Sequence, residues 1–403
     1  MKGSKAVEAG SPRLLLQGMV ALLMLMPVTL PVPVLRALVH ERFGVSELLT
    51  SAFMSINMLG ALLAAPLVGA LADRIGHRKR IAVAALGLDA LCFVALTLPV
   101  SFGLFMGVRF VEGAAHITAL SMLLSLASTS VSDAHRGRAL GTVGAGLLLG
   151  VALGAPLGGW LGAADPLRPL QAGALIVVCA LALAALVLRD HEISSAERAK
   201  SAGLFVALRE ESRLLIPLLF AFADRFTVGF YTTTFSLFLS RVHGLDPPHI
   251  GLLISAFMLP FALLSYPFGW LSERTSRTLL LGVGSIVYGL GTASLVAWSP
   301  DMLPFVMAAI GVSAAVMFVP TMLLTTEYAS EELRSTALGA FNAAGSLGFI
   351  LGPIVGGLVS ESVAVGSDWL AGYRAAFWVA GGSEILLVVV ALPLLRGRRA
   401  PHD

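Results

Sequence analysis

Three residues in one apolar run invite a chemical reading: Arg109, Glu112 and His116. Their spacings, i, i+3 and i+7, put all three on one face of a helix. A guanidinium, a carboxyl and an imidazole sharing a face can pair with one another, bind a charged ligand, or take up and release protons. Ionisable groups inside a long apolar run are costly and mark a functional site by default. A second set is Asp224 and Arg225, followed by Thr227 and Tyr231. Asp224 and Tyr231 are seven apart and share a face, which makes Asp224 a candidate cavity residue. Adjacent helical residues point about 100° apart, so Asp224 and Arg225 are not expected to face one cavity squarely. Asn57, Thr321, Thr325 and Glu327 are further candidates for lining a pathway or a gate.

Other chemistries lack their residues. A phosphate-binding loop needs Gly-Lys-Ser/Thr. The four lysines are Lys2, Lys5, Lys79 and Lys200, and none follows a glycine. Gly-x-Gly occurs only inside apolar runs, where helix packing explains it. His40 and Glu41 are adjacent without zinc-protease spacing, and the histidines form no ligand cluster. The two cysteines, Cys92 and Cys179, both fall in apolar runs and read as small packing residues. No cofactor, no metal and no nucleic-acid partner is expected.

The elements that must position these residues follow from composition. The chain has 403 residues, of which 57% are hydrophobic and 13% charged. A soluble domain carries about 25% charged residues. The net charge of +3 is not gathered in one basic patch. Crossing the ~30 Å hydrocarbon core takes about 20 apolar residues as a helix. Twelve such spans are predicted, at about 14–36, 48–71, 81–99, 103–129, 138–162, 169–188, 214–240, 249–271, 278–298, 302–327, 335–360 and 373–395. The runs are continuous rather than alternating, which excludes a β-barrel. The first run is too long for a signal peptide and has no small-x-small site after it, so it reads as an uncleaved span. Pro27, Pro31 and Pro33 predict an irregular end to that span.

Lysine and arginine set the expected orientation. With the N-terminus in the cytoplasm, 20 of the 27 basic residues fall in cytoplasmic segments and five on the opposite side; Arg109 and Arg225 lie within spans. Both termini are therefore expected in the cytoplasm. The excess of arginine over lysine, 23 to 4, suggests a GC-rich bacterium and hence its inner membrane.

The chain also repeats itself. Residues 189–213 are the longest polar connection and divide the spans six and six, giving bundles 1–188 and 214–403. Gly69-Ala70-Leu71-Ala72-Asp73-Arg74 recurs as Gly269-Trp270-Leu271-Ser272-Glu273-Arg274, an offset of 200. Arg136-Gly137-Arg138-Ala139-Leu140-Gly141 recurs as Arg334-Ser335-Thr336-Ala337-Leu338-Gly339, an offset of 198. The glycines Gly150, Gly154 and Gly158 recur as Gly348, Gly352 and Gly356, again at 198. Such a duplication usually places a substrate site between the halves, near the midplane.

Gly69 to Lys79, with Asp73, Arg74, Gly76 and Arg78, closely resembles the loop signature between helices two and three of the major facilitator superfamily. The resemblance implies an all-α membrane protein of twelve helices in two bundles, rocking about a cavity lined mainly by helices one, four, seven and ten. It implies that Gly69, Asp73, Arg74, Gly76 and Arg78 act as a latch of the two halves, with Glu273 and Arg274 as the symmetric element. Arg109-Phe110-Val111-Glu112-Gly113 resembles the helix-four motif, whose arginine is linked to proton transfer; Glu112 stands where an amide is usual. Gly348 to Gly357, including Pro353, keeps the helix pattern that marks drug/proton antiporters in helix five, whereas span five has its proline, Pro156, one place late. The family places Asp89 and Glu384, in spans three and twelve, on the periphery as packing residues.

The expected function is secondary active transport by a monomer embedded in the lipid bilayer. It would export a small amphipathic compound in exchange for protons. Glu112, Asp224, Arg109 and His116 would serve coupling. Arg225, Tyr231, Thr227, Thr321, Thr325 and Asn57 would line the substrate cavity. A proton-coupled importer or a lipid mover is the alternative, and a membrane receptor or enzyme fits less well because no nucleophile–base set stands out.

Overall fold

A computed structural model describes residues 12–75, 77–131, 135–190, 211–330, 333–364 and 368–396, all helix, turn or coil with no strand among them. Twelve helical spans among these residues are long and apolar enough to cross a membrane. Span one contains α1 (Pro12–Thr29), which gives way to a 3-10 turn at Val32–Val34 and a π-helical segment at Arg36–Glu41. The irregular end follows from the prolines, which remove backbone donors. Next come α2 (Glu47–Ile75), α3 (Arg78–Thr97), α4 (Phe102–Thr129), α5 (Arg136–Gly162) and α6 (Arg168–Val187). The second half comprises α7 (Leu215–Thr232), α8 (Pro247–Ser272), α9 (Arg277–Ser294), α10 (Leu303–Tyr328), α11 (Arg334–Val363) and α12 (Trp369–Arg396).

Span seven is not one helix. It breaks at Thr233 and resumes as Thr234–Val242. The Thr232 and Thr233 hydroxyls both donate to the Gly229 carbonyl, at 3.0 and 2.9 Å. Threonine hydroxyls that bond back into the preceding turn compete with the helical ladder, and the run of three threonines concentrates that effect.

The chain forms two compact units. Unit 1 falls within Met1–Phe43, Ile56–Ala199 and Asp246–Gly251; unit 2 falls within Gly44–Ser55, Lys200–Leu245 and Leu252–Asp403. The first turns of α2 thus belong to unit 2 and its remainder to unit 1. In unit 1, α5 lies on α1 through Gly150, Gly154 and Gly158, where an added Cβ would overlap Leu22, Met26 and Leu30 backbone oxygens. In unit 2, α11 lies on α7 through Gly348, Gly352 and Gly356, against Phe222, Phe226 and Thr234. Small residues let helices approach closely where burial of apolar surface gives no drive for association. Among the described residues, Gly44 and Gly244, 200 residues apart, are the two glycines with positive φ, at 63° and 61°, and each opens the turn into α2 or α8.

Large apolar side chains cover the exterior. Leu186, Tyr266, Leu67 and Leu91 are more than half exposed. In water this would be an aggregating surface; against acyl chains it is the matched one.

Candidate functional site

The first cluster lies in unit 1 between α2, α3 and α4. Gly113 builds it. An added Cβ there would sit 3.0 Å from the Asn57 Cα, so only glycine lets α2 and α4 meet at this level. That contact places the Asn57 amide against Glu112, to whose Oε2 it donates. Arg109 Nη1 donates to the same oxygen at 2.7 Å. Arg109 and Glu112 are 0% and 1% exposed. One turn on, His116 Nδ1 lies 3.3 Å from Asp89 Oδ2 on α3. Asp89, Glu112 and His116 bring one ligand atom each within 4.8 Å of one another. Glu112 Oε2, however, already carries Arg109 and Asn57, so the arrangement is a hydrogen-bond network. Asp89 Oδ1 and His116 Nε2 are buried without a hydrogen-bond partner among the described residues.

Three of the residues named from spacing therefore do share one face. Asn57, expected in the substrate cavity, is a partner of Glu112. Asp89, expected at the periphery as packing, is 0% exposed and turned inward to His116. Helix-four spacing could reveal the first three, but no local signal pairs residue 57 with 112 or 89 with 116.

The second cluster lies in unit 2. Asp224 and Arg225 do line one cavity, contrary to the expectation from their angular separation. The Arg225 side chain folds back so that Nη1 reaches Asp224 Oδ2 at 3.7 Å. Its guanidinium lies over the Phe318 and Phe341 rings at 5.3 and 5.0 Å, a stabilising cation–π arrangement. Gly345 leaves the room for this side chain. The cavity, about 10 Å³, holds Asp224, Arg225, Ser285, Phe318, Thr321 and Phe341 in its wall. That is about the space of a single water. Thr321 lies in this wall. Thr325 is buried one turn on and donates to the Thr321 carbonyl at 3.0 Å. Thr227 instead donates to the Ala380 carbonyl on α12 at 3.3 Å. Tyr231 instead meets the Thr292 hydroxyl at 2.5 Å and packs among Phe235, Phe257 and Tyr288.

A third cluster was invisible in the sequence. Glu47, which opens α2, is 2% exposed and grouped with unit 2. Its Oε1 accepts from Arg241 Nη2 at 2.8 Å and from the Tyr373 hydroxyl at 3.0 Å. The Arg241 guanidinium lies 3.9 Å from the Trp369 ring centroid.

The expected latch is described only in part. The backbone of α2 runs through Gly69, Asp73 and Arg74, but their side chains and all of Gly76 lie outside the described residues, as does most of the 189–213 connection. The Arg78 guanidinium donates to the Ser125 hydroxyl on α4. Glu273 and Arg274 are exposed, and Arg274 lies over Trp270 at 3.9 Å. Glu327 pairs with Arg277.

The sequence pattern of the Major Facilitator Superfamily matches residues 18–238 and again 218–403. The chain belongs to this superfamily. Both halves match, as the internal repeat requires. Among its relatives are the MFS-type transporter SLC18B1 of Mus musculus and the chromaffin granule amine transporter of Homo sapiens. The first is 30% identical over 40% of this chain and 38% of the relative; the second is 26% identical over 77% and 59%. The chain therefore spans well under two thirds of these two relatives' length. The class G tetracycline resistance protein of Vibrio anguillarum is 25% identical over 90% of this chain and 92% of its own. Among solved structures, a bacterial homologue of the human lysosomal transporter Spinster, inward-facing and unoccupied, superposes with a TM-score of 0.83. It is 18% identical over 99% of this chain and 100% of that chain, a likeness of fold. The superfamily is one of multi-pass membrane transporters, not an enzyme class. An all-helical, multi-pass fold and a relationship to the tetracycline resistance protein follow.

Proposed function

We propose that this superfamily member exports a small amphipathic compound in exchange for protons, across the cytoplasmic membrane of a bacterium, with both termini in the cytoplasm. The observation that carries the reading is the buried Arg109–Glu112–Asn57 network. It sets an ionisable acid in a span with a cation and an amide on one oxygen. A cation bonded to a carboxylate favours its ionised form, and withdrawing the cation favours protonation. A rotamer change of Arg109 that parts the two switches the acid between release and uptake. Asp224 with Arg225 is a second acid–cation pair, in unit 2. The tetracycline resistance relative, which aligns over almost its whole length, supports export. Asp73 and Glu273, with their glycine and arginine neighbours, act in this reading as the conformational latch.

The experiment uses proteoliposomes, an imposed proton gradient and a panel of fluorescent amphipathic dyes such as ethidium. Wild-type protein should concentrate at least one dye against its gradient. Glu112→Gln and Asp224→Asn should each abolish that accumulation, and at least one should retain dye binding. If both variants still accumulate dye, these acids are structural and coupling lies elsewhere. Accumulation only in the importing direction would overturn export.

A further inference from the structure

Glu384 on α12 has no part in the reading above. It is 0% exposed, it enters no ion pair among the described residues, and neither carboxylate oxygen has a hydrogen-bond partner. An isolated carboxyl held this way is an anomaly, because buried polar groups are nearly always partnered.

Its position is built into the fold. Helices α9 and α12 cross at two glycines. A Cβ on Gly289 would lie 2.6 Å from the Gly381 carbonyl oxygen, and one on Gly381 would lie 2.8 Å from the Ala293 nitrogen. The same Gly289 position lies 3.2 Å from the Glu384 Cβ. The crossing thus holds Glu384 at the level of Ser285 and Tyr288 on α9. The Ser285 hydroxyl is turned to Met317 Sδ at 3.3 Å. The Tyr288 hydroxyl is buried, and its ring lies 6.1 Å from that of Tyr231.

The titratable groups facing Glu384 are Asp224 and Tyr231 on α7 and Tyr288 on α9. Among the described residues, the cation near this set is Arg225, already engaged by Asp224 and two aromatic rings. The third helix packed on α12 is α11, whose stretch from Phe341 to Gly357 carries no ionisable residue. An ionised carboxylate without a cation is costly in such a medium, whereas a protonated one is neutral and brings its own donor. Asp224 is within its electrostatic reach, so a change in the charge of one acid is felt by the other.

We propose that Glu384 is a second proton-carrying acid of unit 2, exchanging its proton with water when the surroundings of Asp224 change. The O–H bond breaks, the proton leaves, and the carboxylate stays behind until it is reprotonated. For its purpose this rests on the proton-coupled reading; its test does not.

The test is infrared spectroscopy of the purified full-length protein in lipid bilayers over a range of pH. The carbonyl stretch of an un-ionised carboxylic acid separates from the amide bands and shifts in deuterated water. Wild type should show such a band, sensitive to deuterium and lost as pH rises. Glu384→Gln should remove that band. Tyr288→Phe and Ser285→Ala should shift its frequency without removing it. Glu384→Asp, which keeps the acid, guards against a folding artefact and should restore a pH-dependent band. A band unchanged in Glu384→Gln, or one lost in that variant but invariant with pH in wild type, would overturn the proposal. Failure of the dye assay with a titrating Glu384 band present would sink proton-driven export while leaving Glu384 as a proton carrier.

Discussion

Arg109 and Glu112, three residues apart on α4, meet at 2.7 Å with neither more than 1% exposed. Breaking a buried pair by removing one partner strands a charge and costs about 3–5 kcal/mol. Glu112→Ala should lose that much stability in thermal unfolding. Glu112→Gln should lose less, because a side-chain carbonyl can still accept from the guanidinium. Equal stability of the alanine variant and wild type would mean that Arg109 finds full compensation elsewhere.

Gly113 and Gly107 lie on the same helix and should respond in opposite directions. A Cβ at Gly113 meets the Asn57 backbone, with its carbonyl carbon at 2.7 Å and its Cα at 3.0 Å, whereas one at Gly107 meets nothing within 4 Å. Gly113→Ala should cost about 1–3 kcal/mol by overpacking. It should also impair transport, because it pushes Asn57 off Glu112. Gly107→Ala should be neutral or gain about 0.5–1 kcal/mol from helix propensity. Matched melting temperatures for the two variants would contradict the packing described.

Glu47 ties the start of α2 to Arg241 and Tyr373. Glu47→Ala leaves a mostly buried guanidinium without its carboxylate and should cost about 3 kcal/mol. Tyr373→Phe removes one hydrogen bond and should cost about 1 kcal/mol. A double-mutant cycle of Glu47 and Arg241, read by thermal unfolding, should give a positive coupling; additivity would show that the pair does not stabilise the fold.

Asp73→Asn keeps the size of the side chain and removes the charge assigned to the latch, an interaction worth about 0.3–2 kcal/mol if it meets a helix N-terminus. Normal expression, slower transport and a shifted balance of conformations, measured by cysteine accessibility, are expected. Glu273→Gln should be milder. Unchanged transport and balance in Asp73→Asn would remove the latch.

The proposed orientation, with both termini in the cytoplasm, rests on the 20 basic residues that it gathers on one side. A C-terminal fusion to a reporter that works only in the cytoplasm should be active, and one that works only outside should be silent. The reverse pattern would refute this orientation.

The twelve spans, the half-repeat and the close glycine faces were legible in the sequence, because each rests on a local requirement. A span must be apolar over its own length, and a close helix contact needs small residues at a fixed period. Arg109, Glu112 and His116 were legible for the same reason, since one helix fixes their common face. What joins them to anything else was not. Asn57 reaches Glu112 because Gly113 lets two helices touch, and Asp89 turns from the expected periphery to His116 because α3 packs its inner face on α4. Glu47 finds Arg241 across 194 positions of chain, and Arg225 bends to Asp224 through a space that Gly345 leaves on another helix. Hydropathy fixes how many helices cross and how long they are. Which side chains meet depends on the depth, rotation and distance at which helices cross, and only the tertiary packing decides those.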